Sequence, residues 1–255
     1  MKEDADQMKA KRKRLTIILM TLLVITTLSI AYYFQFTGEG YRLTISRRNA
    51  FVEISDHIYL NKNFKGDKEE ILENIQLAKE RTEAFFGELK CLDKTILIIC
   101  DDEKLLTKLG GDHDTMTYHF TPYQNIICVS EQYCVLDVLA HEYTHAELHS
   151  RLTVKALKRI PTWFDEGIAM QNDYRKQYNL EAWIKKTDHG KNVIALEDMD
   201  CSEEFNAGTT KDRRLRYIIA KHEVEEWLAE NQVDGLIKLI DQLNQGEDFI
   251  KIYKK

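Results

Sequence analysis

Two histidines four residues apart, His141 and His145, flank a glutamate in His141-Glu142-Tyr143-Thr144-His145. On a helix, positions four apart lie on one face, one turn from each other. That spacing brings two imidazole nitrogens to one point, where a borderline-soft divalent metal can bind. Glu142 points off the ligand axis, where a carboxylate can take a proton from a water activated at the metal. The chemistry would be metal-assisted hydrolysis. The pattern is short: with eight histidines in 255 residues, chance produces it in roughly one chain in fifty of this composition. An amphipathic surface helix carrying two histidines satisfies it equally, so a further donor is required.

A catalytic zinc takes three protein donors and keeps one position open. The third donor should lie downstream on another element, and the candidate is Glu166 in Pro161-Thr162-Trp163-Phe164-Asp165-Glu166-Gly167-Ile168-Ala169. The 20 residues between His145 and Glu166 suffice to finish one helix, cross a loop and return on an antiparallel helix. A carboxylate among Trp163, Phe164, Ile168 and Ala169 is costly to bury without a partner, and a metal supplies one. The plainer alternative is a Glu exposed on an amphipathic helix.

The elements that must position these groups follow from periodicity. Residues 51–60 alternate apolar and polar and read as a strand. Residues 67–89 carry apolar side chains near the helical period. Residues 95–100, Thr-Ile-Leu-Ile-Ile-Cys, form a β-branched run expected to be a buried strand, and 103–109 a short helix. Residues 115–120 and 125–130, about a turn at Pro122, read as a hairpin or two short strands. The helix expected over 132–152 holds the two histidines. Pro161 opens the next, over 162–174. A helical piece near 180–184 follows, then helices over 213–230 and 233–245 and a short tail at 248–253. Strands first and helices later predict an α+β domain.

The amino terminus differs from the rest. Residues 1–14 carry six Lys and Arg against three acids, a net +3, which leaves −9 on the remainder of a chain whose total is −6. A body this acidic is a poor candidate for nucleic-acid binding. Residues 15–34 contain no charge. As a helix they span about 30 Å, the hydrocarbon thickness of a bilayer. Tyr32 and Tyr33 fall where an aromatic belt would sit, and the basic cluster predicts a cytoplasmic amino terminus. The expected organisation is a basic cytoplasmic segment (1–14), a single transmembrane anchor (15–34) and a catalytic domain over 41–255 facing away from the cytoplasm, with 37–40 as linker. The rival reading is a signal peptide cleaved after Ser29-Ile30-Ala31. The apolar run continues past that site and is long for a signal core, which favours the anchor. Five cysteines, an odd count without C-x-x-C spacing, make neither a zinc knuckle nor a thioredoxin-type site. They read mostly as small buried apolar residues.

The sequence H-E-Y-T-H-A-E-L-H over 141–149, followed by P-T-W-F-D-E-G-I-A over 161–169, resembles the gluzincin zinc metallopeptidases. In particular it resembles the small peptidase-MA-like group of bacterial proteins, whose pattern reads H-E-x-x-H and then W-F-x-E-G-x-A. The resemblance covers about residues 90–250. It implies a thermolysin-like zincin fold: a small twisted sheet over the H-E-x-x-H helix, a helical lower half and a cleft between them. It also implies one zinc ion held by His141, His145 and Glu166, with Glu142 as general base of peptide hydrolysis. Asp165 would accept from a ligand histidine's N–H, or else serve as a charge at a helix amino terminus. Tyr217, with His222 as alternative, would steady the oxyanion, unless Tyr217 is simply packed against the core. His149 would be exposed or outside the ligand set. The strand at 126–129 would be the sheet edge that receives substrate. His57, His113, His119 and His189 have no metal spacing. Two functions remain open: a membrane-anchored zinc peptidase acting on peptides or proteins, and a non-catalytic zinc-stabilised scaffold or binding domain at the membrane. A scaffold has no need of Glu142.

Overall fold

The computed structural model describes residues 2–110, 116–120 and 124–254. The chain begins with helix α1, Lys2–Phe36, within which Lys11–Phe36 is long and apolar enough to cross a membrane and contains no buried residue. A short helix α2, Gly38–Leu43, occupies the expected linker. Thr37 starts it, its hydroxyl accepting from Gly40 N at 3.0 Å.

The run expected as one strand is a hairpin of β1, Phe51–Ser55, and β2, Ile58–Asn61. Asp56 and His57 turn the chain, with His57 at φ 61°, so alternation continues through a reversal that it cannot signal. Helix α3, Lys68–Phe86, is capped by Asp67, whose carboxylate accepts from Glu69 N (2.9 Å) and Glu70 N (3.2 Å). Then come β3, Thr95–Cys100, α4, Glu103–Lys108, β4, Met116–Phe120, and β5, Gln124–Ser130. The turn expected around Pro122, and His113, lie outside the described residues.

The five strands form one mixed sheet in the order β1-β2-β3-β5-β4. β2, β3 and β5 are parallel, and the two outer strands run antiparallel to their neighbours. This corrects one expectation: the strand at 126–129 is interior, and β4 is the edge beside it. Both faces of the sheet are covered, in keeping with its parallel centre. Leu97, Ile99, Ile127 and Val129 face α3 and the histidine helix. Ile96, Ile98, Ile126 and Cys128 face Tyr41, Ile45, Leu106 and Leu109, on the side of α2 and α4.

The histidine helix α5 spans Leu136–Arg151. It lies between two cores. Leu139, Ala140, Tyr143 and Ala146 pack on the sheet, while Leu148 enters the helical half below. Every residue from Val138 to His149 is buried, so each polar group on this helix needs a partner inside the protein. Glu147, fully buried, accepts from Lys90 N (2.8 Å) and Cys91 N (2.9 Å) and pairs with Arg151. Asn125 on β5 donates to Ala146 O (3.2 Å). Asn172 donates to Thr144 Oγ1 (2.8 Å). Arg81 on α3 holds Asp137 at 2.6 Å. These bonds fix the helix axially and rotationally, which fixes the side chains it presents.

The lower half comprises α6 (Val154–Leu157), α7 (Thr162–Ala169), α8 (Leu180–Thr187), α9 (Ser202–Phe205), α10 (Thr210–Gln245) and α11 (Phe249–Tyr253). The two helices expected over 213–230 and 233–245 are both present; they meet at Gln232, where the backbone leaves the helical region (φ 57°), and are counted together as α10. Trp163, Phe164 and Ile168 of α7 pack with Ala220 and Val224 of α10 and with Phe249 and Tyr253 of α11. Gly167 lies where α7 meets α10. A Cβ there would stand 2.5 Å from Val224 Cγ2 and 2.6 Å from Ala220 O, so the close approach requires glycine. All five cysteines are free, four buried and Cys201 exposed. Burial pushes the Cys91, Cys128 and Cys134 thiols up to about 12 and that of Cys100 to about 11, so they are packing residues rather than reactive ones.

Candidate metal centre

Helix α5 presents His141 and His145 one turn apart, and α7 brings Glu166 against them. The structure therefore joins all three donors expected from the sequence, each through its outer atom. His141 Nε2 and His145 Nε2 are 3.1 Å apart. Glu166 Oε2 is 3.4 Å from the first and 3.3 Å from the second. A tetrahedral ion with bonds of about 2.0–2.1 Å has donor–donor edges of about 3.3–3.4 Å. The triangle thus has the size of one face of such a site.

Of the three donor atoms, Glu166 Oε2 is buried without a hydrogen-bond partner, as is His141 Nδ1 on the other side of its ring. Two ring nitrogens facing each other at 3.1 Å beside a carboxylate oxygen place three lone-pair bearers around one point, and a cation there answers all three. The electrostatics favour positive charge. Burial alone raises the Glu166 carboxyl, yet His145 and His141 hold it down at about 2. Burial alone lowers His145, but Asp165 and Glu166 beside it carry it well above its ordinary value.

Asp165 precedes Glu166 on α7 and faces the other side of the same imidazole. Its Oδ1 is 2.8 Å from His145 Nδ1. This is the outer acceptor expected from the sequence, and it sets the ring so that Nε2 points to the donor triangle. His149, one turn further along α5, lies with Nε2 2.9 Å from Asp165 Oδ2 and 3.1 Å from Oδ1. It is buried, so the exposed option for His149 is corrected. Burial opposes ionisation of Asp165, but His149 and His145 together keep its carboxyl far below the usual range. His145, His149 and Asp165 are a second group that could hold a metal. It shares His145 with the first, and its Nδ1–Oδ1 contact has the length of an ordinary charged hydrogen bond.

A cleft of about 360 Å³ opens beside the donors. His141, Glu142 and Tyr217 of α10 all line it. The Tyr217 ring centroid is 6.3 Å from that of His141. Its hydroxyl is raised well above the ordinary value by Glu166 and then by burial, so it is a proton donor at neutral pH. His222 instead packs on Trp183, ring centroids 3.8 Å apart, and is not part of the cleft wall. Of the two oxyanion candidates, only Tyr217 is brought to the site. Arg175, Tyr178, Arg213 and Arg214 also line the cleft and were not singled out from the sequence. The helical spacing of 213, 214 and 217 was the available signal for the two α10 arginines. For Arg175 and Tyr178, in an irregular stretch, there was none.

The sequence matches no protein-family model and no curated protein.

Proposed function

We propose that the chain is a zinc-dependent peptidase of gluzincin type. It is anchored by α1 with its catalytic domain over 41–255 outside the cytoplasm. The observation that supports this most directly is the convergence of His141 Nε2, His145 Nε2 and Glu166 Oε2 at mutual distances of 3.1–3.4 Å, beside a cleft that His141 lines together with Glu142. In this reading zinc, bound by those three atoms, supplies the Lewis acidity that makes water nucleophilic near neutral pH.

The remaining work falls to the protein. Glu142, buried beside His141, takes the proton of the attacking water and returns it to the leaving amine. The Tyr217 hydroxyl donates to the oxygen of the scissile carbonyl as negative charge develops there. Asp165 and His149 keep the His145 ring in one orientation. The cores on both sides of α5 exclude bulk water from the donor atoms and strengthen these interactions. Thermolysin-like architecture is part of the proposal. It is supported by the order of sheet, histidine helix and helical half, with the cleft beside the donors.

Glu142→Gln separates the peptidase from a zinc-stabilised scaffold. The full chain in detergent is assayed on casein and on a fluorogenic peptide library. Wild type should cleave, cleavage should stop with a chelator, and Glu142→Gln should keep its zinc while losing hydrolysis. Zinc-loaded wild type that cleaves nothing leaves the scaffold reading in possession.

A further inference from the structure

The cleft is basic although the body is not. Beyond residue 14 the chain carries −9 in total, yet the charged residues lining the cleft are one acid, Glu142, and three bases, Arg175, Arg213 and Arg214. Arg175 is already engaged: its Nε lies 2.9 and 3.0 Å from the two oxygens of Asp173, whose side chain is fully buried. Arg213 and Arg214 are not. Among the described residues neither guanidinium makes a hydrogen bond or ion pair.

Their placement is regular. Thr210, Arg213, Arg214 and Tyr217 follow one another at helical spacing and all line the cleft. Arg213 is half-buried, and its charge acts on the Tyr217 hydroxyl. Along the helix axis Arg213 and Arg214 lie about 4.5–6 Å from Tyr217, at 1.5 Å per residue. An extended peptide advances about 3.3 Å per residue. The two arginines therefore line the cleft at an axial offset that corresponds to about two residues of an extended substrate from the carbonyl that Tyr217 would serve. An open guanidinium pair, half-buried at Arg213 and exposed at Arg214, selects a carboxylate, which it can grip through paired N–H donors.

We infer that this cleft selects substrates bearing a carboxylate within two residues of the cleaved bond, with Arg213 and Arg214 as the specificity-determining residues. The inference rests on the peptidase reading above. The carboxylate has two sources, an acidic side chain and a free carboxyl terminus, and the basic stripe suits both.

The test uses the zinc-loaded full chain in detergent with two sets of fluorogenic peptides. One set is amidated at the carboxyl terminus and carries Glu, Gln or Lys within two residues of the cleaved bond. The other has no internal acid and ends in a free carboxylate or an amide. The expected result is a kcat/KM about tenfold higher for the carboxylate-bearing member of at least one set, and the responsive set identifies the source. R213Q/R214Q should bring that ratio to about one. R213E/R214E should invert it in favour of Lys. A wild-type ratio near one in both sets, or a preference for Lys, overturns the inference while leaving the peptidase reading intact. Fluorescence anisotropy of the same peptides on Glu142→Gln gives the same comparison without turnover. If wild type cleaves nothing, a carboxylate preference in binding that is lost in E142Q/R213Q/R214Q upholds the basic stripe and removes only the peptidase. Binding without that preference overturns the inference.

Discussion

Replacing Gly167 by alanine tests whether the donor triangle depends on the close approach of α7 to α10. The new Cβ would stand 2.5 Å from Val224 Cγ2 and 2.6 Å from Ala220 O. Ordinary carbon contacts begin near 3.5 Å, so α7 must move away by about 1 Å. The Val224 side chain can yield part of that distance; the Ala220 carbonyl, held in its helix, cannot. Overpacking of this size costs about 1–3 kcal/mol, which in a domain of this length lowers Tm by about 2–12 °C. Glu166 is the neighbouring residue and moves with the backbone. A shift near 1 Å is large against donor separations of 3.1–3.4 Å, and zinc affinity should fall about 10–100-fold. Differential scanning fluorimetry with and without zinc, together with competition against a chromophoric chelator, reads both effects. Adding Val224→Ala should recover part of the loss by removing one of the two clashes. If Gly167→Ala melts within a degree of wild type and binds zinc within threefold of it, the packing of α7 on α10 does not set the metal site.

Asp165→Asn keeps the side-chain shape but removes the charge that sets the His145 ring, so zinc affinity should drop about 10–100-fold with the circular dichroism spectrum unchanged. Tyr217→Phe removes the hydroxyl proposed to donate to the developing oxyanion. It should lower kcat about 100-fold with zinc stoichiometry and KM close to wild type; a kcat within threefold assigns Tyr217 to packing alone. Cys201 is the one exposed thiol of five, so Ellman's reagent should titrate one thiol in the native chain and five after denaturation. The same residue reports topology. With the domain outside the cytoplasm, a membrane-impermeant maleimide should label Cys201 in spheroplasts without lysis, and labelling only after lysis reverses the orientation.

The parts of the site that could be read in advance are those carried by short spacing. His141 and His145 share a helix face whatever the rest of the fold does, and Glu166 sits in an apolar run that marks a buried helix. β3 was legible over its whole length because Thr95–Cys100 is buried on both faces and needs no alternation. What failed was what depends on pairing between distant segments. The neighbours of residues 126–129 are decided by β3 on one side and β4 on the other, so the strand nearest the histidine helix in sequence is not the sheet edge. The hairpin at Asp56–His57 was missed because alternation persists across it. His149 carries the same one-turn spacing from His145 as His141 does. Its role depends on Asp165 arriving from α7, a contact that sequence distance does not encode. The α10 arginines were passed over because charge on a helix usually faces water, and only the cleft gives them a direction.

Metal content tests the central claim most directly. The full chain, purified in detergent without chelator and then dialysed against trace zinc, is measured by inductively coupled plasma mass spectrometry beside His145→Ala and Glu166→Ala. The expected result is one zinc per wild-type chain, retained through gel filtration, and well below one in both variants. A wild-type chain that is folded yet holds no stoichiometric zinc, or variants that hold as much as wild type, would contradict a metal centre at His141, His145 and Glu166.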